Sequence, residues 1–393
     1  MPVNFQEVRS EIKEMGENAL QRERVYQDRR IKALEILDAY DHKIIELQQK
    51  IGEALRYNSA LRCAKPVREH LTYHHLLPDL KTPVTMIAVD GSQINYDRHS
   101  EVQYALINIG AIITASSQSE APQTFTRSEL LYDDQLFTLE GVISEARLAL
   151  LRDMEERKVI IELAESLHPP VISLTDGPLE FWGAETASDK SELNKQQSEY
   201  QKILYKLQNL KVYPAGFVDN PGENLVIRML ELTEASKADI NNFKNFRPLH
   251  GVSDHDLFNE ILKPGARSAI FQKQSISTSA LDDNNQTHFF YLNVSSAGKP
   301  WLARIEIPGW VAQDSQAIDS LQAALMKQCS ILGSNAYPYV LHRAHEIALV
   351  TFQEKEQIDQ MVAFELRRRG VSISDRSHKQ FWKNRPGRTR YKR

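Results

Sequence analysis

Apolar residues recur at helical spacing through the first sixty positions, and the stretch from residue 5 to about 60 holds no proline. It reads as helix. Leu37, Ile44 and Ile51 stand seven apart, with Leu34 and Leu55 on neighbouring positions, which makes a short heptad stripe. Asp41 and Gln48 interrupt the second seam. The stripe therefore fits an amphipathic helix packed on its own domain, or a contact with a second copy or a partner. A turn-rich stretch around His74, His75, Pro78 and Pro83 follows, and there the period changes. Val84 to Val89 is a short apolar run closing on Asp90-Gly91-Ser92, which predicts a buried strand ending at the aspartate. Residues 104–114 (YALINIGAIIT) predict a second strand and Phe125 to Leu131 a third. Residues 139–167 are rich in Leu, Ala, Glu and Arg and predict a helix stopped by Pro169 and Pro170. Val171 to Thr175 is another short buried strand, closing on Asp176-Gly177.

Three strands joined without helices suggest an antiparallel meander. A helix then crosses over to a strand that can lie parallel beside the first. Further on, the polar helical stretch 185–210 looks like an insertion, and Val212 to Val218 is a strand candidate. Residues 281–287 form a loop, and His288–Val294 and Trp301–Ile307 read as paired strands. Residues 315–332 predict a helix with Ile318, Leu321, Leu325, Cys329 and Leu332 on one face. A last helix ends at Arg367, Arg368 and Arg369 before Gly370, with cations in the final turn and glycine beyond it.

Length and composition narrow the class. The 393 residues suffice for one large domain or two ordinary ones, and 41% apolar with 25% charged residues is a globular balance. The net charge of −4 argues neither for nor against nucleic acid. Cys63 and Cys329 are the two cysteines, far apart in sequence, which excludes a disulfide framework and a cysteine-rich zinc site. The start is polar, with no apolar signal region, and no window approaches the ~18 apolar residues of a membrane span. A cytoplasmic protein with buried free thiols is expected. There is no Walker-type phosphate loop and no G-x-S-x-G elbow.

The candidate chemistry lies in the two strand-terminal aspartates. Asp90 and Asp176, carried on neighbouring strands, would bring two carboxylates to one hard cation, Mg²⁺ or Mn²⁺. Taken singly, each Asp-Gly is also a common turn signal. A third carboxylate is expected from the crossover helix. Glu156 shares a stripe with Ile160, Leu163 and Leu167, and Glu155 is one position round; either also suits a solvated helix surface. In the segment 337–346 (YPYVLHRAHE), Pro338 suits a helix entry, Tyr337 lies near the start, and His345 is two turns on. His345 is a candidate for a metal or a scissile phosphate, and equally for a structural role. Asp254-His255-Asp256 could also bind metal, and reads as a capped helix start before Leu257, Ile261 and Leu262. The tail from Arg376 to Arg393 carries eight Lys or Arg and no acid, interleaved with Phe381, Trp382 and Tyr391. Such a tail neutralises phosphates and stacks on bases, or is simply solvated.

AVDGSQ at 88–93 resembles the first motif of the NurA nuclease family, and SLTDGPLEF at 173–181 its second Asp-Gly strand, with Pro178 where serine is more usual. RIEIPGWVA at 304–312 and YPYVLHRAHEIA at 337–348 resemble its C-terminal blocks. The resemblance spans about residues 84 to 370. It implies an α/β fold with a ribonuclease-H-like core, a mixed sheet flanked by helices. Residues 1–80 would then be an N-terminal helical extension, 81–370 the nuclease domain and 371–393 a basic tail. It implies a Mn²⁺-dependent (or Mg²⁺-dependent) DNA nuclease that degrades from 5′ ends and cuts single strands. Its implied partners are DNA and a hexameric HerA-type ATPase, and it would be a homodimer. Asp90, Asp176 and Glu156 (or Glu155) would hold metal, His345 would complete the site and Tyr337 would line it.

Overall fold

The computed structural model describes residues 3–79, 83–115, 121–138, 141–180, 190–275, 281–295, 300–333 and 335–371. The basic tail lies outside the described residues, as does the start of the stretch read as a polar insertion.

In chain order the elements begin with α1 (Phe5–Glu17), α2 (Ala19–Ala39), α3 (Ile44–Tyr57), β1 (Cys63–Pro66) and β2 (His74–His75). There follow β3 (Thr85–Ile94), β4 (Ala105–Ala115), β5 (Gln123–Leu131), β6 (Phe137–Thr138), β7 (Gly141–Val142), α4 (Glu145–Ala164) and β8 (Val171–Asp176). Next are α5 (Lys190–Asn209), β9 (Val212–Asp219), α6 (Leu225–Leu232), α7 (Lys237–Asn241), α8 (Asp254–Ile261), β10 (Arg267–Ser268), β11 (Phe271–Gln274), β12 (Thr287–Asn293) and β13 (Leu302–Pro308). The chain closes with α9 (Gly309–Ala312), α10 (Ser315–Ile331), α11 (Tyr339–Ala348) and α12 (Phe352–Arg368). Among the described residues, no helix is long and apolar enough to cross a membrane.

The chain divides into two compact units. One comprises residues 1–84, 174–181 and 211–339; the other comprises residues 85–173, 182–210 and 340–393. In the second, β3, β4 and β5 form the expected antiparallel meander, with Asp90 opposite Gly110 and Gly110 opposite Thr126. β8 lies on the free side of β3. In the first unit, the end of β8 is followed by β9, β13, β12, β11 and β1 in spatial order. Three meander strands, a crossover helix, a strand beside the first, and then a further helix and strand make up a ribonuclease-H-like core. Its sheet is mixed and flanked by helices, with helices at the N-terminus.

Three sequence expectations change. The N-terminal stretch is three helices, not one. It breaks at Asn18 and again at residues 40–43, where Asp41 anchors the next segment instead of continuing the helix. Leu37 and Ile51 of the heptad stripe sink into the core of their own unit beside Leu47 and Phe271. Strand β3 runs through Asp90-Gly91 to Ile94 instead of ending there, because its pairing with β4 continues unbroken to Leu106. Finally, α5 is less polar than its sequence reads, because one face is buried. Tyr200, Leu204 and Leu207 recur at helical spacing and are buried, and Arg157 of α4 lies 5.2 Å over the Tyr200 ring.

The helix start read at Asp254-His255-Asp256 is present, and its cap is Ser253. Ser253 and Asp256 form a reciprocal capping box at the head of α8. Both cysteines are buried free thiols.

Candidate active site

Asp90 sits mid-strand on β3, and its side chain is one-fifth exposed. The backbone amide of Gly91 donates to its Oδ1 at 2.9 Å. Its Oδ2 lies 2.7 Å from Nδ1 of His345, whose ring is well exposed. That is hydrogen-bond length, and two ligands of one small cation would be similarly close neighbours.

The helix α11 that carries His345 is placed by the same strand. Ala348 is its last residue, one turn beyond His345. The Ala348 carbonyl accepts from the Ser92 hydroxyl at 2.5 Å and from the Asn108 amide at 2.7 Å. A terminal helix carbonyl lacks an intrahelical partner, so these two donors satisfy it and fix the helix end. Asn108 is itself held by the Ser128 hydroxyl at 2.6 Å. Gly110 lets the helix backbone come close: a Cβ there would lie 2.3 Å from the Ala348 nitrogen. Within the motif DGS at 90–92, the aspartate thus faces His345 and the serine caps the helix that bears it.

Glycine 91 clears space for the third acid. A Cβ there would lie 2.6 Å from both Oε1 of Glu156 and Cγ of Arg152. Glu156, on α4, is buried. Burial pushes its carboxyl up to about 8, with Asp153 and Asp90 adding to the rise and Arg152 and Arg157 opposing it. Arg152 Nε lies 3.3 Å from Glu156 Oε1. Glu155, by contrast, takes the Lys158 ammonium at 2.7 Å, and Lys158 also reaches Glu199 of α5. Asp90, Glu156 and His345 are thus gathered in one unit.

Asp176 and Tyr337 lie in the other unit. Asp176 is the exposed last residue of β8. Gly177 then turns with φ +91°, a conformation glycine adopts without strain, and its amide donates to the Phe217 carbonyl at 2.8 Å. Tyr337 packs edge-on against Phe217, ring centroids 5.6 Å apart. Leu179, two residues past Gly177, donates its amide to the buried Glu306 carboxylate at 3.0 Å. Around Glu306 runs a buried ionic network. Lys273 Nζ contacts Glu180 at 2.6 Å and Glu306 at 3.0 Å, while Arg304 contacts Glu306 at 2.8 Å and Glu223 at 2.5 Å. Although burial alone would raise Glu223, Arg304, Lys273 and Arg62 hold it below the usual carboxylate range.

Sequence reasoning did not single out Arg152, the Ser92–Asn108 clamp or Glu306. Arg152 stands four residues before Glu156 on one helix face, and Glu306 is an acid inside an apolar strand; both signals were present.

The donor set of Asp90 and Glu156 is rich in carboxylate oxygen. A buried carboxyl beside a second acid is the electrostatic setting that a divalent cation relieves, so these residues fit a hard divalent metal.

Curated proteins offer no match to this sequence. Among solved structures, the NurA nuclease from Sulfolobus solfataricus is 14% identical, with 84% of this chain and 98% of that chain covered and a TM-score of 0.48. The catalytic domain of human Endonuclease V is 13% identical over 81% of this chain and 98% of that chain, with a TM-score of 0.33. Endonuclease V of Ciona intestinalis, in complex with an inosine-containing DNA, is 13% identical over 82% and 100%, with a TM-score of 0.28. The model of the NurA domain matches residues 84–350, well over half of the sequence and including Asp90, Glu156, Asp176, Tyr337 and His345, and the chain therefore belongs to the NurA family.

Proposed function

We propose that this protein is a metal-dependent DNA nuclease that hydrolyses phosphodiester bonds. Membership of the NurA family supports a nuclease. The observation that carries the site is the 2.7 Å contact between Asp90 and His345, with the Glu156 carboxyl buried beside Gly91.

In this reading Asp90 and Glu156 would hold the cation, Mn²⁺ or Mg²⁺, and the family resemblance implies Asp176 and His345 as further ligands. When bound, the ion supplies Lewis acidity and an activated water. Asp90 orients the His345 ring through Nδ1. In the neutral ring with Nδ1–H on Asp90, Nε2 carries a lone pair and can take a proton from the attacking water, becoming able to give it to the leaving oxygen. Arg152 balances the two carboxylates from the helix side. Tyr337, which packs on Phe217, is the residue that the family resemblance implies would line the site.

The wider setting follows from the family resemblance and belongs to the same proposal. The enzyme processes DNA ends from the 5′ side and cuts single strands. It works in the cytoplasm as a homodimer beside a hexameric HerA-type ATPase. Residues 81–370 form the nuclease domain, residues 1–80 a helical contact surface, and residues 371–393 a basic arm for DNA.

The test is nuclease activity with Mn²⁺ on matched single- and double-stranded DNA and RNA, for the parent and for Asp90→Ala, His345→Ala and Asp176→Ala. Loss of DNA cleavage by more than about 10³-fold in each variant, on a scale set by removal of essential catalytic groups, is expected. Equal activity in parent and Asp90→Ala would remove the site assignment. An inactive parent, even with the ATPase present, would favour a DNA-binding scaffold.

A further inference from the structure

A second group of metal-ligating side chains lies well away in sequence from the motifs above. Asp41 and His42 occupy the turn between α2 and α3, and His70 lies in the segment joining β1 to β2. All three precede the residues matched by the NurA domain. One ligand atom from each falls within 4.8 Å of the other two, which no other trio of His, Cys, Asp or Glu achieves among the described residues.

The carboxylate is already held in place. The Thr72 amide donates to Asp41 Oδ1 at 2.6 Å, and the Leu71 amide donates to the Asp41 carbonyl at 3.2 Å. The Asp41 side chain is only 12% exposed. His70 Nδ1 is 3.1 Å from Oδ1, and His42 Nε2 is 3.3 Å from Oδ2. The two imidazole centroids are 5.1 Å apart. Ligands bound tetrahedrally at ~2.0–2.1 Å sit about 3.3 Å from one another, which the His42 Nε2–Asp41 Oδ2 pair already matches, while His70 meets the other carboxylate oxygen and would shift slightly to join them. A backbone amide on one carboxylate oxygen is the kind of support that orients a ligating acid while its other oxygen binds.

We propose that Asp41, His42 and His70 form a second metal site, distinct from the carboxylate site at Asp90, for a borderline divalent cation such as Zn²⁺. Two imidazole nitrogens and one carboxylate oxygen suit Zn²⁺, Co²⁺ or Ni²⁺ better than Mg²⁺ or Mn²⁺, which prefer oxygen. Three protein ligands leave a fourth position for water on the exposed side of His42. The ion would clip the α2–α3 turn to the β1–β2 segment, so its role is to tie the N-terminal helices to the sheet of their own unit. Binding to the folded form alone raises stability with the logarithm of ligand concentration once it exceeds the dissociation constant.

The experiment uses the full-length, metal-stripped protein titrated with Co²⁺ and with Zn²⁺. Co²⁺ is read by the visible absorption of a low-symmetry site and Zn²⁺ by calorimetry and thermal unfolding. The expected result is an absorbing Co²⁺ site displaced by Zn²⁺, with a Zn²⁺-dependent rise in unfolding temperature. Losing a direct ligand in His42→Ala or His70→Ala should weaken binding at least ~100-fold, since losing only a supporting contact already costs 10–100-fold. Asp90→Ala should leave the signal intact, which separates this site from the proposed catalytic one. His42 is 81% exposed, so His42→Ala tests the site even if His70→Ala perturbs folding. An absorption band that survives both histidine substitutions, or Co²⁺ binding that vanishes in Asp90→Ala alone, overturns the proposal.

Discussion

The hydroxyl of Ser92 donates to the carbonyl of Ala348 across 2.5 Å and 256 positions of sequence. That bond, with Asn108 as its companion, sets where α11 ends and hence where His345 meets Asp90. Ser92→Ala should leave the protein folded and reduce stability by ~1 kcal/mol, the net worth of one such hydrogen bond. Turnover should fall by about 10- to 100-fold while KM changes little, because a misplaced group raises the barrier without touching substrate binding. The double change Ser92→Ala with Asn108→Ala should exceed either single one. Steady-state kinetics on a fluorescent DNA substrate would check this, and unchanged turnover in the double variant would show that the clamp does not position His345.

Gly91 and Gly110 make different predictions although both are crowded. At Gly91 an added Cβ meets the side chains of Arg152 and Glu156, which can move. Gly91→Ala should therefore fold with a penalty of ~1–3 kcal/mol, typical of overpacking, yet lose most activity because Glu156 is displaced. At Gly110 the Cβ meets the backbone of Ile347 and Ala348, which cannot yield without moving the whole helix. Gly110→Ala should lose more stability than Gly91→Ala. Denaturant melts of the two variants, run beside activity, separate these outcomes; a reversed order of stability would contradict the packing argument.

Lys273 is fully buried between the carboxylates of Glu180 and Glu306. Removing one partner of a buried ionic group leaves uncompensated charge at a penalty of ~3–5 kcal/mol. Lys273→Met should therefore fall in that range, toward its lower end because Arg304 still faces Glu306. A urea-denaturation difference below about 1 kcal/mol would mean that the network contributes little net stability.

A pH effect follows from Asp254. Burial raises its carboxyl to about 6, against the opposing hydrogen bonds from the Ile227 and Val226 amides and the Tyr291 hydroxyl. The folded value is raised, so the unfolded chain releases this proton first as pH rises. The group's contribution is most favourable below about 4 and declines as pH climbs to about 6, after which it is flat. The decline amounts to at most ~3 kcal/mol. Stability measured at pH 4.5 and pH 7.5 should show less of this decline in Asp254→Asn than in the parent. Identical pH dependence in both would place the titration elsewhere.

Much of the architecture could be read from periodicity, because buried strands and amphipathic helices impose spacing on the residues that form them. The meander at residues 85–131, the crossover helix and the paired strands β12 and β13 are local patterns of that kind. Where β3 ends was not local. Asp90-Gly91 looks like a turn, and only the facing residues of β4, down to Leu106, show that the strand continues. The polar look of α5 had the same origin, since Tyr200 and Leu204 are sparse enough to seem incidental until α4 packs on them. Glu156 and Glu155 could be ranked by helical stripe, but their surroundings come from Gly91 on one side and Lys158 on the other. The Ser92–Ala348 and Leu179–Glu306 contacts join segments more than a hundred positions apart, and no local pattern reports them.

The pairing of Asp90 with His345 spans 255 positions, so the two halves of this arrangement leave the ribosome far apart in time. A nascent or prematurely terminated chain that stops before residue 340 carries the acidic strand and the crossover helix but no imidazole to meet them. On the proposed chemistry such fragments would not cleave DNA. Competence to cleave then arrives only once the segment that carries His345 has been made.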